Sequence, residues 1–252
     1  MILVQEDVML DVPGSDRPTR VLVTAPRAPG TWPGVLMYSD IFQITGPQIR
    51  MSRRLAGYGF VVATPEIYHR IEPAGTAIAF DDPGRQRGLD NAKATSVADF
   101  DADARAVLDW LAKDARVSKT KTSLAAMGFC IGGHLAVRAA LQRDVAATAA
   151  FYPTGVHDGK LGKDADAGTM ARIRAGDLRG ELLLVFGTKD PHVPEGARTV
   201  IDDALRSAKV AVTTRLFDAE HAFMRDEGPR YDSEATDEAF AAAIAFFRRV
   251  LS

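Results

Sequence analysis

From Gly34 onward, short apolar runs of strand length alternate with longer segments whose apolar residues recur at helical spacing, and this alternation leaves few folds open. Residues 35–38 and 60–63 are buried-type strands flanking a helical segment over 48–58, which is a β-α-β unit. Phe100, Ala104, Val107, Leu108 and Leu111 then mark a helix. It is followed by a strand over 123–128, a helix over 131–141 and a strand over 145–151. The rhythm repeats with a strand over 181–186, a helix over 197–208, a strand over 210–217 and a last helix carrying Phe240, Ile244, Phe247 and Leu251. Such an order predicts an α/β fold, a mostly parallel central sheet with helices on both faces. Residues 4–12 and 17–25, separated by the turn at Pro13, Gly14, Ser15 and Asp16, read as an antiparallel pair ahead of it.

With 252 residues and no repeat or low-complexity linker, the chain reads as one domain over 1–252, large enough to need no disulfide or metal staple. Its formal charge of −2 comes from interspersed acids and bases, so it lacks the single-sign field that nucleic acid or an anionic membrane would require. Glu6, Asp7 and Asp11 interrupt the first apolar stretch, and no later stretch approaches a membrane span. A cytoplasmic protein without nucleic-acid or membrane partners, a monomer or weak homodimer, is the expectation. Residues 65–90 and 155–176 interrupt the rhythm and read as irregular walls or lids of a site.

The sharpest local signal is Gly128, Phe129, Cys130, Ile131, Gly132, Gly133 at a strand-to-helix junction. This is the spacing of a nucleophile elbow, with Cys in place of Ser. Such a bend strains the central residue and leaves no room for bulk two residues before or after it; Gly128 and Gly132 meet that demand. Small residues at Gly132, Ala136 and Ala140 would let the helix pack close to the sheet, and its N-terminus would favour a thiolate and bind an oxyanion. The competing reading of Cys130 is a free cysteine buried in a glycine-rich turn.

α/β-hydrolases place nucleophile, acid and histidine in that chain order, each on a loop after a strand. Asp190 follows the strand over 181–186 in GTKDPHVP, and His221 follows the strand ending at Phe217 in DAEHAF. A turn aspartate before Pro191 and a surface imidazole are the competing readings. His134 lies within the elbow helix, and His69 and His157 lie in loops. His192 is the main rival for the base, but it shares a loop with Asp190. The histidines lack the spacing of a metal-binding helix, so neither metal nor cofactor is expected.

Taken together, YSDIFQ, ATPEIYHR, GFCIGG and the pair GTKDPHVP and EHAFMR make the chain resemble the dienelactone hydrolase family over nearly its whole length. The resemblance implies a Cys130, Asp190, His221 triad and an oxyanion hole from the backbone N–H groups of Ile131 and Ile41. It implies a role for Asp40 in holding the resting thiol, where the family typically has Glu, and for Arg225 in gripping a substrate carboxylate. A second such arginine is not placed by it, although Arg85 and Arg87 lie in the right loop. The expected reaction is hydrolysis of a small-molecule lactone or activated ester through a thioester acyl-enzyme. A broad carboxylesterase or thioesterase, a silent binding module and a redox sensor are the alternatives.

Overall fold

The computed structural model describes residues 1–142 and 145–251. Its elements follow the chain as β1 (Leu3–Leu10), β2 (Thr19–Pro26), β3 (Gly34–Tyr38), α1 (Gly46–Ala56), β4 (Val61–Pro65), α2 (Asp82–Ala94) and α3 (Val97–Lys113). They continue as β5 (Leu124–Phe129), α4 (Ile131–Ala139), β6 (Ala147–Phe151), α5 (Thr169–Arg174), β7 (Glu181–Gly187), α6 (Glu195–Ser207), β8 (Val212–Phe217) and α7 (Ser233–Val250). The strands form one sheet in the order β1-β2-β4-β3-β5-β6-β7-β8. β1 pairs antiparallel with β2 and β2 with β4, and from β4 to β8 every pairing is parallel.

Strand alternation divides the core in two. Leu36, Ala126 and Leu184 face a cluster built with Phe100, Val107 and Leu108 of α3, Leu135 of α4 and Ile201 of α6. Val35, Met37, Met127 and Val185 face the other cluster, with Met51 and Leu55 of α1 and Phe240, Ile244 and Phe247 of α7. The central strands β3, β5 and β6 are buried along their whole length, which is why they read as continuous apolar runs. None of the described helices is long and apolar enough to cross a membrane.

The chain order reverses around β3, which lies between β4 and β5. The loops leaving β3 and β5 therefore part to opposite faces and open a crevice at their C-terminal ends.

The two irregular stretches are corrected in part. α2 begins inside the first, its N-cap Asp81 accepting the Gly84 N–H at 2.7 Å, and the short α5 lies inside the second. Gly84 and Gly88 hide α2 from sequence reasoning, since each glycine in a helix interior costs about 1 kcal/mol relative to alanine. Both are dictated by close approach: a Cβ on Gly84 would stand 2.1 Å from the Ala79 carbonyl oxygen, and one on Gly88 2.5 Å from that of Ile41.

Candidate active site

The bend between β5 and α4 is built around Cys130, whose φ of 57° and ψ of −123° are strained for a side chain with a Cβ. Its neighbours hold it there. The Cys130 N–H donates to the Phe151 carbonyl at 3.1 Å, and its own carbonyl accepts from Gly133 at 2.9 Å and Thr154 at 3.3 Å. A Cβ on Gly128 would lie 2.0 Å from the Gly132 carbonyl oxygen, and one on Gly132 2.1 Å from that of Ser39. These contacts are with backbone, which cannot step aside, so glycine is required at both positions. The thiol is half-buried rather than sealed, with Thr154 Oγ1 3.9 Å from Sγ.

Asp190 and His221 sit on the loops after β7 and β8. Gly187 lets these loops meet, because any Cβ there would be 2.2 Å from the Ala219 carbonyl. Asp190 is buried, and its Oδ2 accepts from His221 Nδ1 at 2.7 Å while its Oδ1 accepts from the His192 N–H at 2.8 Å. Burial opposes the charge on Asp190, yet the bonds and charge of His221 and the His192 N–H together hold the carboxyl below its ordinary range. With Nδ1 committed to the carboxylate, Nε2 is the ring nitrogen of His221 left free of that bond. Burial disfavours the imidazolium, but the charge and hydrogen bond of Cys130 and the Asp190 carboxylate outweigh it and push His221 up to about 9. Asp190 and His221 thus form a bonded pair on neighbouring loops.

His192, the rival base, lies outside this pair. Its ring stands edge-on to His221 with centroids 4.7 Å apart, and only its backbone N–H reaches Asp190. The remaining histidines are elsewhere. His134 is fully buried between the Thr154 carbonyl at 3.1 Å and Thr169 Oγ1 at 2.8 Å, and burial holds it down to about 3. His69 bonds Asp103 and the Arg17 carbonyl, and His157 lies 3.8 Å from Asp158. Among the described residues no three His, Cys, Asp or Glu side chains are grouped to hold a metal ion.

Ile131 is the first residue of α4, and Ile41 lies in the turn after β3. Among the described residues neither backbone N–H has a protein acceptor. Asp40 departs from the expectation of a thiol gate. Its Oδ1 accepts from the Phe42 N–H at 2.9 Å and its Oδ2 from Arg225 Nη1 at 3.0 Å, and it makes no hydrogen bond to Cys130. Enclosure raises the Asp40 carboxyl above its ordinary range, with Arg225 and the Phe42 N–H pulling the other way. The side chain is one methylene shorter than Glu, and it spends its reach on its own turn and on Arg225.

Arg225 also packs over Phe42 and Phe80, its guanidinium carbon 4.9 and 4.7 Å from their ring centroids, and its Nε has no acceptor. Of the two arginines in the first loop, Arg87 is committed to Glu72, whereas Arg85 is exposed; the His192 pKa is lowered by burial first, then by the charge of His221, with smaller contributions from Arg230 and Arg85. Sequence reasoning missed Tyr152 and Thr154. Tyr152, with φ of 39°, packs edge-on to His221 at 5.1 Å, and the segment FYPTG at the C-terminal end of β6 was the available signal.

An eight-stranded, mostly parallel sheet wrapped by helices, with a bend-borne side chain at the switch point and His and Asp on the following loops, defines the α/β-hydrolase class. Residues 19–251 match the family model described as "Dienelactone hydrolase family", and the chain belongs to that family of ester- and lactone-cleaving hydrolases. A Saccharomyces cerevisiae protein described as "Putative carboxymethylenebutenolidase" is 33% identical over 92% of this chain and 87% of its own length. A carboxymethylenebutenolidase of a Pseudomonas strain is 26% identical over 88% of this chain and 87% of its own. In fold, the crystal structure titled "Putative Dienelactone Hydrolase" from Klebsiella pneumoniae superposes with a TM-score of 0.84 at 22% identity, covering 99% of this chain and 100% of that one.

Proposed function

We propose that Cys130 is the nucleophile of a lactone or activated-ester hydrolase, that His221 is its acid and base, and that Asp190 orients the imidazole. The observation carrying this reading is the 2.7 Å bond between His221 and the buried Asp190 carboxylate, together with a cysteine held at the strained bend between β5 and α4. Sγ attacks the substrate carbonyl carbon, and the oxyanion is received by the N–H groups of Ile131 and Ile41. The carbonyl re-forms, the acyl C–O bond breaks, and the His221 proton passes to the leaving oxygen, giving a thioester. His221, now neutral, takes a proton from water, whose oxygen attacks the thioester. The carboxylic acid leaves and Sγ returns as the thiolate. Thiolate chemistry favours good leaving groups such as enols, which agrees with the lactone-cleaving activity named for the Pseudomonas relative.

Arg225 is proposed to recognise a substrate carboxylate, with Asp40 as the charge partner that holds it in place until then. The crevice lined by Asp40, Gln48, Phe129, Tyr152 and Arg225 is the corresponding place for that group.

The test is hydrolysis of p-nitrophenyl acetate and of an enol lactone by the wild type, Cys130→Ala and His221→Ala, with iodoacetamide labelling of Cys130 across pH. Both variants should be inactive, and intact-protein mass spectrometry should trap an acyl group on Cys130. Hydrolysis that survives Cys130→Ala but not His221→Ala would remove the sulfur from the mechanism.

A further inference from the structure

The Asp40–Gln43 turn, which carries the Ile41 N–H, is a short, partly buried loop that must stay fixed to within a fraction of an ångström to serve an oxyanion. It is gripped from inside. The Asp40 side chain bonds the Phe42 N–H at 2.9 Å, and the Asp40 carbonyl accepts from the Gln43 N–H at 3.2 Å. Gln43 has φ of 64° and is fully buried, its side chain accepting from the Tyr68 N–H at 3.2 Å and donating to the Thr76 carbonyl at 3.0 Å. None of these contacts touches Ile41 itself.

The element that does touch it is α2. At Gly88 the helix lies so close that an added Cβ would be 2.5 Å from the Ile41 carbonyl oxygen, 3.2 Å from its carbonyl carbon and 3.1 Å from its Cβ. A helix-weakening glycine stands where α2 crosses the donor residue, so the approach is a property of the sequence. α2 is in turn anchored by Glu72, which is buried. Its Oε1 accepts from Arg87 Nε at 2.7 Å and from Asn91 Nδ2 at 2.6 Å, and Arg87 Nη2 closes on its Oε2. Arg87 precedes Gly88 and Asn91 follows it by three residues, so the clamp brackets the contact.

We infer that α2 is the backstop of the second oxyanion donor: Gly88 seats the helix against Ile41, and the Glu72 clamp keeps it seated. Gly88 and Glu72 are therefore positioning residues, acting on the transition state through the Ile41 backbone without touching substrate. This rests on the proposal that the Ile41 N–H receives the oxyanion.

Two reactions of the same sulfur separate this role from general damage. Alkylation by iodoacetamide is a displacement at carbon that forms no oxyanion, whereas hydrolysis of p-nitrophenyl acetate does. In Gly88→Ala, kcat for hydrolysis is expected to fall about 10- to 100-fold, short of the roughly 100- to 1,000-fold loss of a whole donor. KM should stay within about twofold and the alkylation rate at pH 7 should be unchanged. Glu72→Gln keeps an acceptor for Asn91 but loses the Arg87 ion pair; it should show the same signature at roughly three- to tenfold, and it decides the matter if Gly88→Ala does not fold. Unchanged kcat in the folded variants, or alkylation falling in step with hydrolysis, overturns the inference. If instead Cys130→Ala retains wild-type hydrolysis, the nucleophile reading itself fails, an outcome recognisable before either variant is made.

Discussion

Replacing Cys130 with alanine isolates what the sulfur does to the imidazole. In the wild type His221 is buried, which alone would favour the neutral ring, yet it is held up to about 9 against an ordinary value of 6.5. That gap corresponds to a preference for the imidazolium of about 3 kcal/mol. The sulfur contributes both a charge and a hydrogen bond to it, and Asp190 the remainder. In Cys130→Ala only Asp190 is left to oppose burial, so the ring should titrate below its wild-type value. In the proposed mechanism the same change occurs when the sulfur becomes a neutral thioester. The imidazole then loses its ion-pair partner and turns into a base able to take a proton from water near neutrality, so the alanine variant imitates the acyl-enzyme. Long-range proton–nitrogen NMR of the five histidines reads this directly, since His134 is held near 3 and does not titrate in the same window. A ring that still titrates near 9 in Cys130→Ala would assign the whole effect to Asp190. A wild-type ring titrating near 6.5 would show that the sulfur and imidazole are not paired at all.

Asp190→Asn should keep the fold and reduce kcat by about 10³- to 10⁴-fold, because the amide no longer fixes the tautomer that presents a free nitrogen to the thiol; steady-state kinetics checks it. His134 is bound neutral in the fold but gains a proton in the unfolded chain below 6.5. Wild-type stability should therefore fall by about 2 kcal/mol from this group between pH 7 and pH 5, continuing downward to about 3, and urea titrations of His134→Gln should show that part of the slope removed. Gly132→Ala should destabilise by about 3 kcal/mol or more or abolish soluble expression, since the new methyl meets the Ser39 carbonyl at 2.1 Å; thermal unfolding measures it. Arg225→Met should raise KM at least tenfold for a carboxylate-bearing lactone and leave p-nitrophenyl acetate nearly unaffected, and equal effects on both would remove Arg225 from substrate recognition.

Much of this protein is readable without coordinates because its strongest signals are local. The apolar runs of β3, β5, β6 and β7 are long enough and buried enough on both faces to declare a parallel sheet, and Gly128 and Gly132 mark the bend at Cys130 because backbone atoms exclude any Cβ there. The order of Cys130, Asp190 and His221 after β5, β7 and β8 follows from the same periodicity. What chain order could not decide is which polar groups find one another across the crevice. Asp40 was one residue from a proposed oxyanion donor, and only packing shows that its carboxylate turns to Phe42 and Arg225. Arg85 and Arg87 are two residues apart and chemically alike, both exposed, but Glu72, fifteen positions upstream of Arg87, pairs with that one. α2 itself went unseen because its glycines oppose a helix locally, and they are explained only by the Ala79 and Ile41 carbonyls they approach. Backbone periodicity and steric exclusion act over a few residues and are written in the sequence; ion pairs and close backbone approaches join distant segments, and only the tertiary structure decides them.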